Sequence, residues 1–104
     1  MSNFAATCMV IVTEAVIESR LLRDLEDCGA DGWTIVAARG RGPVHQRLNE
    51  VAGGNLRIET LVSAQVAERI WRRLAAKYFG VYAMTVWSYD AKTREPGMGG
   101  DAQG

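Results

Sequence analysis

Two series of apolar residues at helical spacing constrain this chain most. Ile17, Leu21, Leu25 and Cys28 form the first; Val66, Ala67, Ile70, Trp71, Leu74 and Tyr78 form the second. Each series lies between two short β-type runs. The first run, Thr7–Val12, is almost wholly apolar, as a strand buried on both faces would be. Thr13 is placed to cap a helix predicted over Glu14–Cys28, and Gly29 to stop it in the left-handed conformation. Trp33–Ala38 reads as the second strand. In the third, Asn55–Val62, the residues Leu56, Ile58, Thr60 and Val62 alternate with Arg57, Glu59 and Leu61, which assigns the two sets to opposite faces. Ser63 caps a second helix over Ala64–Tyr78, and Val81–Tyr89 is the last strand.

The order β-α-β-β-α-β predicts an α+β fold, the ferredoxin-like sandwich of four antiparallel strands with both helices on one face. The helices leave the other face open, yet the first and last strands are apolar on both sides. That open face is expected to be buried by further copies of the chain. Arg57 and Glu59 would then lie at a subunit boundary, paired with each other or bound to something. Length sets the domain count: 104 residues make one domain. It is expected over residues 1–90, with a frayed start before Thr7 and a flexible, glycine-rich tail over residues 91–104.

Between the second and third strands runs Arg39–Gly54 (RGRGPVHQRLNEVAGG), far longer than the roughly 2–5 residues a hairpin needs. It carries Arg39, Arg41 and Arg47 against Glu50 in a chain that is neutral overall. Gly40 and Gly42 bracket Arg41; glycines let backbone N–H groups approach an anion, and arginine forks match phosphate oxygens. The loop therefore reads either as one whose base binds an anion or as a solvated hairpin tip.

The remaining signals mostly exclude. Zero net charge argues against a broad nucleic-acid or membrane footprint. Cys8 and Cys28 do not have zinc-site spacing; they read as core thiols of a reducing cytosol, with a disulfide between them left open. No signal peptide or run of about 20 apolar residues occurs, so the expected location is cytoplasmic. No Walker P-loop is present. The single histidine, His45, lies in the loop, and no Ser/His/Asp or Cys/His constellation can be assembled around it. The basic row Arg69, Arg72, Arg73 and Lys77 reads as a solvated helix face.

Four segments taken together, VIVTEA (Val10–Ala15), GADGWTIVAARGRG (Gly29–Gly42), NLRIETLV (Asn55–Val62) and AAKYFGVYAMTV (Ala75–Val86), resemble the PII-like signalling proteins, and more closely their carboxysome- and bicarbonate-transport-associated branch. The resemblance implies a homotrimer with nucleotide sites in clefts between subunits. It makes Arg39–Gly54 the family's T-loop, which changes conformation with ligand and contacts a target, such as a membrane bicarbonate transporter. It implies adenine nucleotide ligands, ADP or AMP with cyclic AMP as a further candidate, and bicarbonate as a second ligand. No cofactor, metal or nucleic-acid partner follows from it, and the activity implied is regulatory.

Residue by residue, the resemblance assigns Gly40, Arg41 and Gly42 to the loop base against the phosphates, and Arg47 to a phosphate-binding arginine. Thr34 falls near the adenine or ribose. Glu59 and Leu61 line the cleft from the third strand, and Tyr82 and Ala83 lie in the segment that covers the phosphates. Arg41, Gly42 and Arg47 are the candidate bicarbonate contacts. The glycine-rich phosphate loop and T-loop tyrosine of the nitrogen-regulatory branch are absent, which argues against uridylylation. The tail lacks the cysteine pair of some relatives. Two other classes remain as alternatives: a small ferredoxin-like enzyme of the dimeric barrel type, such as a monooxygenase or isomerase, and a trimeric scaffold resembling the copper-tolerance family.

Overall fold

The computed structural model describes residues 3–40 and 54–94. The strands are β1 (Asn3–Glu14), β2 (Thr34–Ala38), β3 (Asn55–Val62) and β4 (Met84–Arg94); the helices are α1 (Glu18–Cys28) and α2 (Ala64–Lys77). One antiparallel sheet runs in the order β2-β3-β1-β4, with both helices on one face. This is the ferredoxin-like β-α-β-β-α-β sandwich.

The core lies between sheet and helices. Met9 and Ile11 of β1, Leu56 and Ile58 of β3 and Met84 of β4 face Leu21 and Leu25 of α1 and Ile70 and Leu74 of α2, and all are buried. The other side chains of β3 follow the alternation: Arg57, Glu59 and Leu61 sit on the face without helices and are partly or fully exposed. Ser63 caps α2 as its sequence implies, its Oγ accepting from the Val66 N–H at 3.1 Å. Gly29 ends α1 at φ 115°, and a Cβ there would also meet Val66 Cγ2 at 3.0 Å. Two constraints therefore require glycine: the left-handed turn and the close pass of α2.

Four expectations are corrected. Thr13 does not cap a helix over Glu14–Cys28. It is a buried strand residue whose hydroxyl donates to the Ala83 carbonyl at 2.8 Å, and a 3-10 turn (Ala15–Ile17) separates β1 from α1. The start of the chain is not frayed from residue 3, because Asn3–Ala6 pair with Ala91–Arg94. For the same reason β4 runs to Arg94, past the boundary drawn at residue 90. Ala91 and Lys92, of types depleted in strands, join the ladder because β1 offers their backbones hydrogen-bond partners. Finally, β4 begins at Met84, so Val81, Tyr82 and Ala83 lie in the turn before it. The rest of the predicted tail lies outside the described residues. Cys8 and Cys28 are both free, buried thiols.

The basic row on α2 is largely consumed by helix packing. Asp24 of α1 is buried, with its carboxylate accepting from the Tyr78 hydroxyl, from Arg73 Nη1 at 2.6 Å and from Lys77 Nζ at 3.1 Å. Arg69 Nε donates to the Cys28 carbonyl at 2.9 Å. Only Arg72 is an outward member, beside Glu68 one turn back at 3.5 Å. Burial alone would raise the Asp24 carboxyl, but the hydrogen bonds from Tyr78, Arg73 and Lys77 outweigh it and hold it below the usual carboxylate value. The Tyr78 hydroxyl is pushed well up, first by burial and then by the Asp24 carboxylate.

Asp24→Ala leaves the buried Tyr78 hydroxyl unpaired and is expected to cost roughly 1–3 kcal/mol, read as a lower urea midpoint at unchanged slope. The folded carboxyl titrates below its unfolded value of about 3.9, so its contribution is full above that pH and lost as pH falls through the lower folded value. Asp24→Asn should therefore flatten this part of the acid-unfolding limb. An unchanged limb would show that the charge does not tie the helices together.

Candidate functional site

Strand register determines which side chains share the face that the helices leave open. Thr34 pairs with Glu59, Glu59 with Val10 and Val10 with Trp87, so these four cross the sheet in one row. The adjoining row toward the loop is Val36, Arg57, Val12 and Thr85, and beyond it come Ala38, Asn55 and Glu14. On the other side of the Thr34 row lie Leu61, Cys8 and Tyr89. Cys8 and Val10 are buried on this face even in the single chain. Val36, Leu61, Trp87 and Tyr89 stand out from it, 39–51% exposed. Arg57 spans the rows: its Nε donates to Glu59 at 2.8 Å, and its guanidinium carbon lies 5.5 Å from the centre of the Trp87 ring.

A cleft of about 440 Å³ opens where Thr34, Glu59 and Leu61 meet. The connection from α1 to β2 walls one side with Asp31, Gly32 and Trp33, and β4 walls the other with Tyr89 and Ala91. Thr60 Oγ1 donates to the Gly32 carbonyl at 2.5 Å and so fixes that connection to β3. The structure thus brings together three residues singled out from the sequence: Thr34, Glu59 and Leu61. Asp31, Trp33, Cys8 and Tyr89 were not singled out. The connection residues lie within the quoted segment Gly29–Gly42 but received no role in the site, and Tyr89 reaches the cleft only through the β1–β4 register.

The second group lies at the other end of the sheet. Ala38 is four residues along β2 from Thr34, roughly 13 Å at about 3.3 Å per residue. Gly40 lies two residues past Ala38, and the Ala15 N–H donates to the Gly54 carbonyl at 2.9 Å, which joins the far side of the loop to the end of β1. Ala83 sits at this same end, its peptide held on both sides: the N–H donates to Glu14 Oε2 at 2.7 Å and the carbonyl accepts from Thr13. The Tyr82 hydroxyl accepts from Arg20 Nη1 at 2.9 Å, so its side chain is engaged by α1. Arg41, Gly42 and Arg47 lie outside the described residues, as does His45.

Two buried side-chain oxygens have no partner among the described residues, Asn55 Oδ1 and Thr85 Oγ1. Both belong to the open face near the loop end. No cluster of three or more His, Cys, Asp or Glu side chains among the described residues could hold a metal. Among them, too, no helix is long and apolar enough to cross a membrane.

Residues 6–94 match the family model described as Nitrogen regulatory protein P-II. Among solved structures, a PII-like signaling protein from Thermus thermophilus is 35% identical at a TM-score of 0.76, over 89% of this chain and 92% of that one. CPII, a nitrogen regulatory PII-like protein from Thiomonas intermedia whose structure is bound to ADP, AMP and bicarbonate, is 17% identical at a TM-score of 0.77, over 91% and 99%. The B. subtilis GlnK–ATP complex is 23% identical at a TM-score of 0.50, over 82% of each chain.

Proposed function

The chain belongs to the nitrogen regulatory protein P-II family, and from that premise we propose that it is a homotrimeric sensor of adenine nucleotide and bicarbonate. The observation that carries this reading is the family match across residues 6–94. The ligands are proposed from CPII, whose structure holds ADP, AMP and bicarbonate. The backbone follows CPII more closely than GlnK, TM-score 0.77 against 0.50. The branch associated with carboxysomes and bicarbonate transport is proposed from the sequence resemblance over Val10–Val86. Cyclic AMP stands as a further candidate ligand.

In this reading the two ends of the open face have different tasks. Thr34, Glu59 and Leu61 receive the base and ribose, and the phosphates extend along β2 toward Gly40, Arg41, Gly42 and Arg47, with Tyr82 and Ala83 at their cover. Bicarbonate binds beside Arg41, Gly42 and Arg47. Ligand orders the loop over residues 39–54 and so changes a surface for a protein partner, a membrane bicarbonate transporter being the candidate. The exposed Val36, Leu61 and Trp87 support burial of the middle of the open face by other copies, since contiguous apolar patches rarely face water. A dimeric-barrel enzyme would need a catalytic group in its pocket; P-II proteins are regulators, and that reading is not favoured.

Light scattering should give three times the chain mass at micromolar concentration; a stable monomer would remove both the covered face and the intersubunit cleft. ADP titrated with and without bicarbonate, at constant pH and ionic strength, should bind more tightly with it, and by the factor by which ADP tightens bicarbonate. Equal affinities would leave a nucleotide-binding trimer without carbon sensing. Arg47→Ala should weaken ADP roughly tenfold or more, since a guanidinium–phosphate contact is charge-assisted, while leaving the trimer intact. An unchanged affinity would move that contact to Arg39 or Arg41.

A further inference from the structure

The cleft beside Thr34 contains two carboxylates, Asp31 and Glu59, and no lysine or arginine among the described residues that line it. The aromatic rings of Trp33 and Tyr89 complete its walls. Such a lining repels phosphate and suits the donor-bearing end of a nucleotide, its base and ribose. The two carboxylates differ. Glu59 is engaged by Arg57 Nε at 2.8 Å. Asp31 is exposed and has no hydrogen-bond or ion-pair partner among the described residues. Its position is nonetheless fixed, because the next residue, Gly32, is held to β3 by the Thr60 hydroxyl.

We propose that Asp31 selects the base: its carboxylate accepts a hydrogen bond from the exocyclic amino group of a 6-aminopurine, whose ring lies against Tyr89. The inference rests on the nucleotide reading above and adds the residues responsible for its base preference. Tyr89 is half exposed on the open face, and an aromatic ring there offers an apolar surface that any purine can cover. Stacking of that kind does not distinguish bases. The distinction has to come from a directional group, and Asp31 is the cleft carboxylate not already engaged.

The test compares ADP with purine riboside 5′-diphosphate, which carries hydrogen in place of the amino group. Wild type should prefer ADP by roughly tenfold or more, the scale of a hydrogen bond to a charged acceptor. Asp31→Ala should bring the two ligands to equal affinity by weakening ADP alone, and Asp31→Asn should retain part of the preference through its carbonyl oxygen. Tyr89→Leu should weaken both ligands by the same factor. An ADP preference that survives Asp31→Ala overturns the role of Asp31, as does tighter binding of GDP than ADP by wild type. An equal loss of both ligands in Asp31→Ala does so too. Failure of wild type to bind ADP at all overturns the nucleotide reading itself and this inference with it. Unchanged thermal midpoints check that the variants are folded.

Discussion

β1 pairs on both sides, with β3 over Thr7–Glu14 and with β4 over Asn3–Thr13, and it packs on both faces. Met9 and Ile11 enter the core beneath the helices, while Cys8 and Val10 are buried on the opposite side. A central strand of this kind cannot shift its register by one residue without exchanging the two sets, and both alternatives would disrupt the core. The alignment of β3 and β4 follows from it, and with that alignment the neighbours of every group on the open face. Tyr89 meets the cleft because β4 is counted from β1, and Thr34 meets Glu59 through the further pairing of β2 with β3.

Side-chain hydrogen bonds then hold the irregular segments to this frame. The Thr60 hydroxyl fixes the α1–β2 connection through Gly32, and Thr13 with Glu14 fixes the α2–β4 turn through Ala83. Each is a strand residue reaching a backbone group that lacks a ladder partner, the usual way buried peptide groups outside regular structure are satisfied. The Asp24 cluster ties the two helices together by side-chain hydrogen bonds alone. All three devices lie on the helix side or at the sheet ends, so they leave the open face free.

The fold was legible because its signals are local. The alternation in Asn55–Val62, the Ser63 cap and the Gly29 stop each depend on a few neighbouring residues, and each appears where the pattern placed it. The misreadings were non-local. Thr13 followed by Glu14 has the composition of a helix start, but both side chains are drawn to Ala83, 70 and 69 residues away. The strand character of Ala91–Arg94 comes from pairing with Asn3–Ala6 and not from its own residues. Likewise Arg69, Arg73 and Lys77 look like a solvated row until Asp24 and the Cys28 carbonyl are set opposite them. At the site, Thr34, Glu59 and Leu61 came through resemblance and converge in space, whereas Asp31 and Tyr89 become visible only when the sheet is assembled.

Two kinds of unmet demand coincide on the open face. Its apolar side chains Val36, Leu61, Trp87 and Tyr89 are exposed, and the buried oxygens of Asn55 and Thr85, without a partner among the described residues, belong to the same surface. Exposed apolar area alone is common on folded domains, and an isolated unpaired hydroxyl costs only a few kcal/mol at most. Their concentration on one face is less easily explained by chance, because on the helix face the hydroxyls of Thr13 and Thr60 each donate to a backbone carbonyl. A surface that is apolar in its middle and short of hydrogen-bond donors at one edge fits contact with another protein surface better than contact with water. Binding sites placed at the two ends of such a face would lie at the margins of a subunit contact. In the homotrimer proposed above, a ligand there would touch two chains at once and so report its presence through their contact.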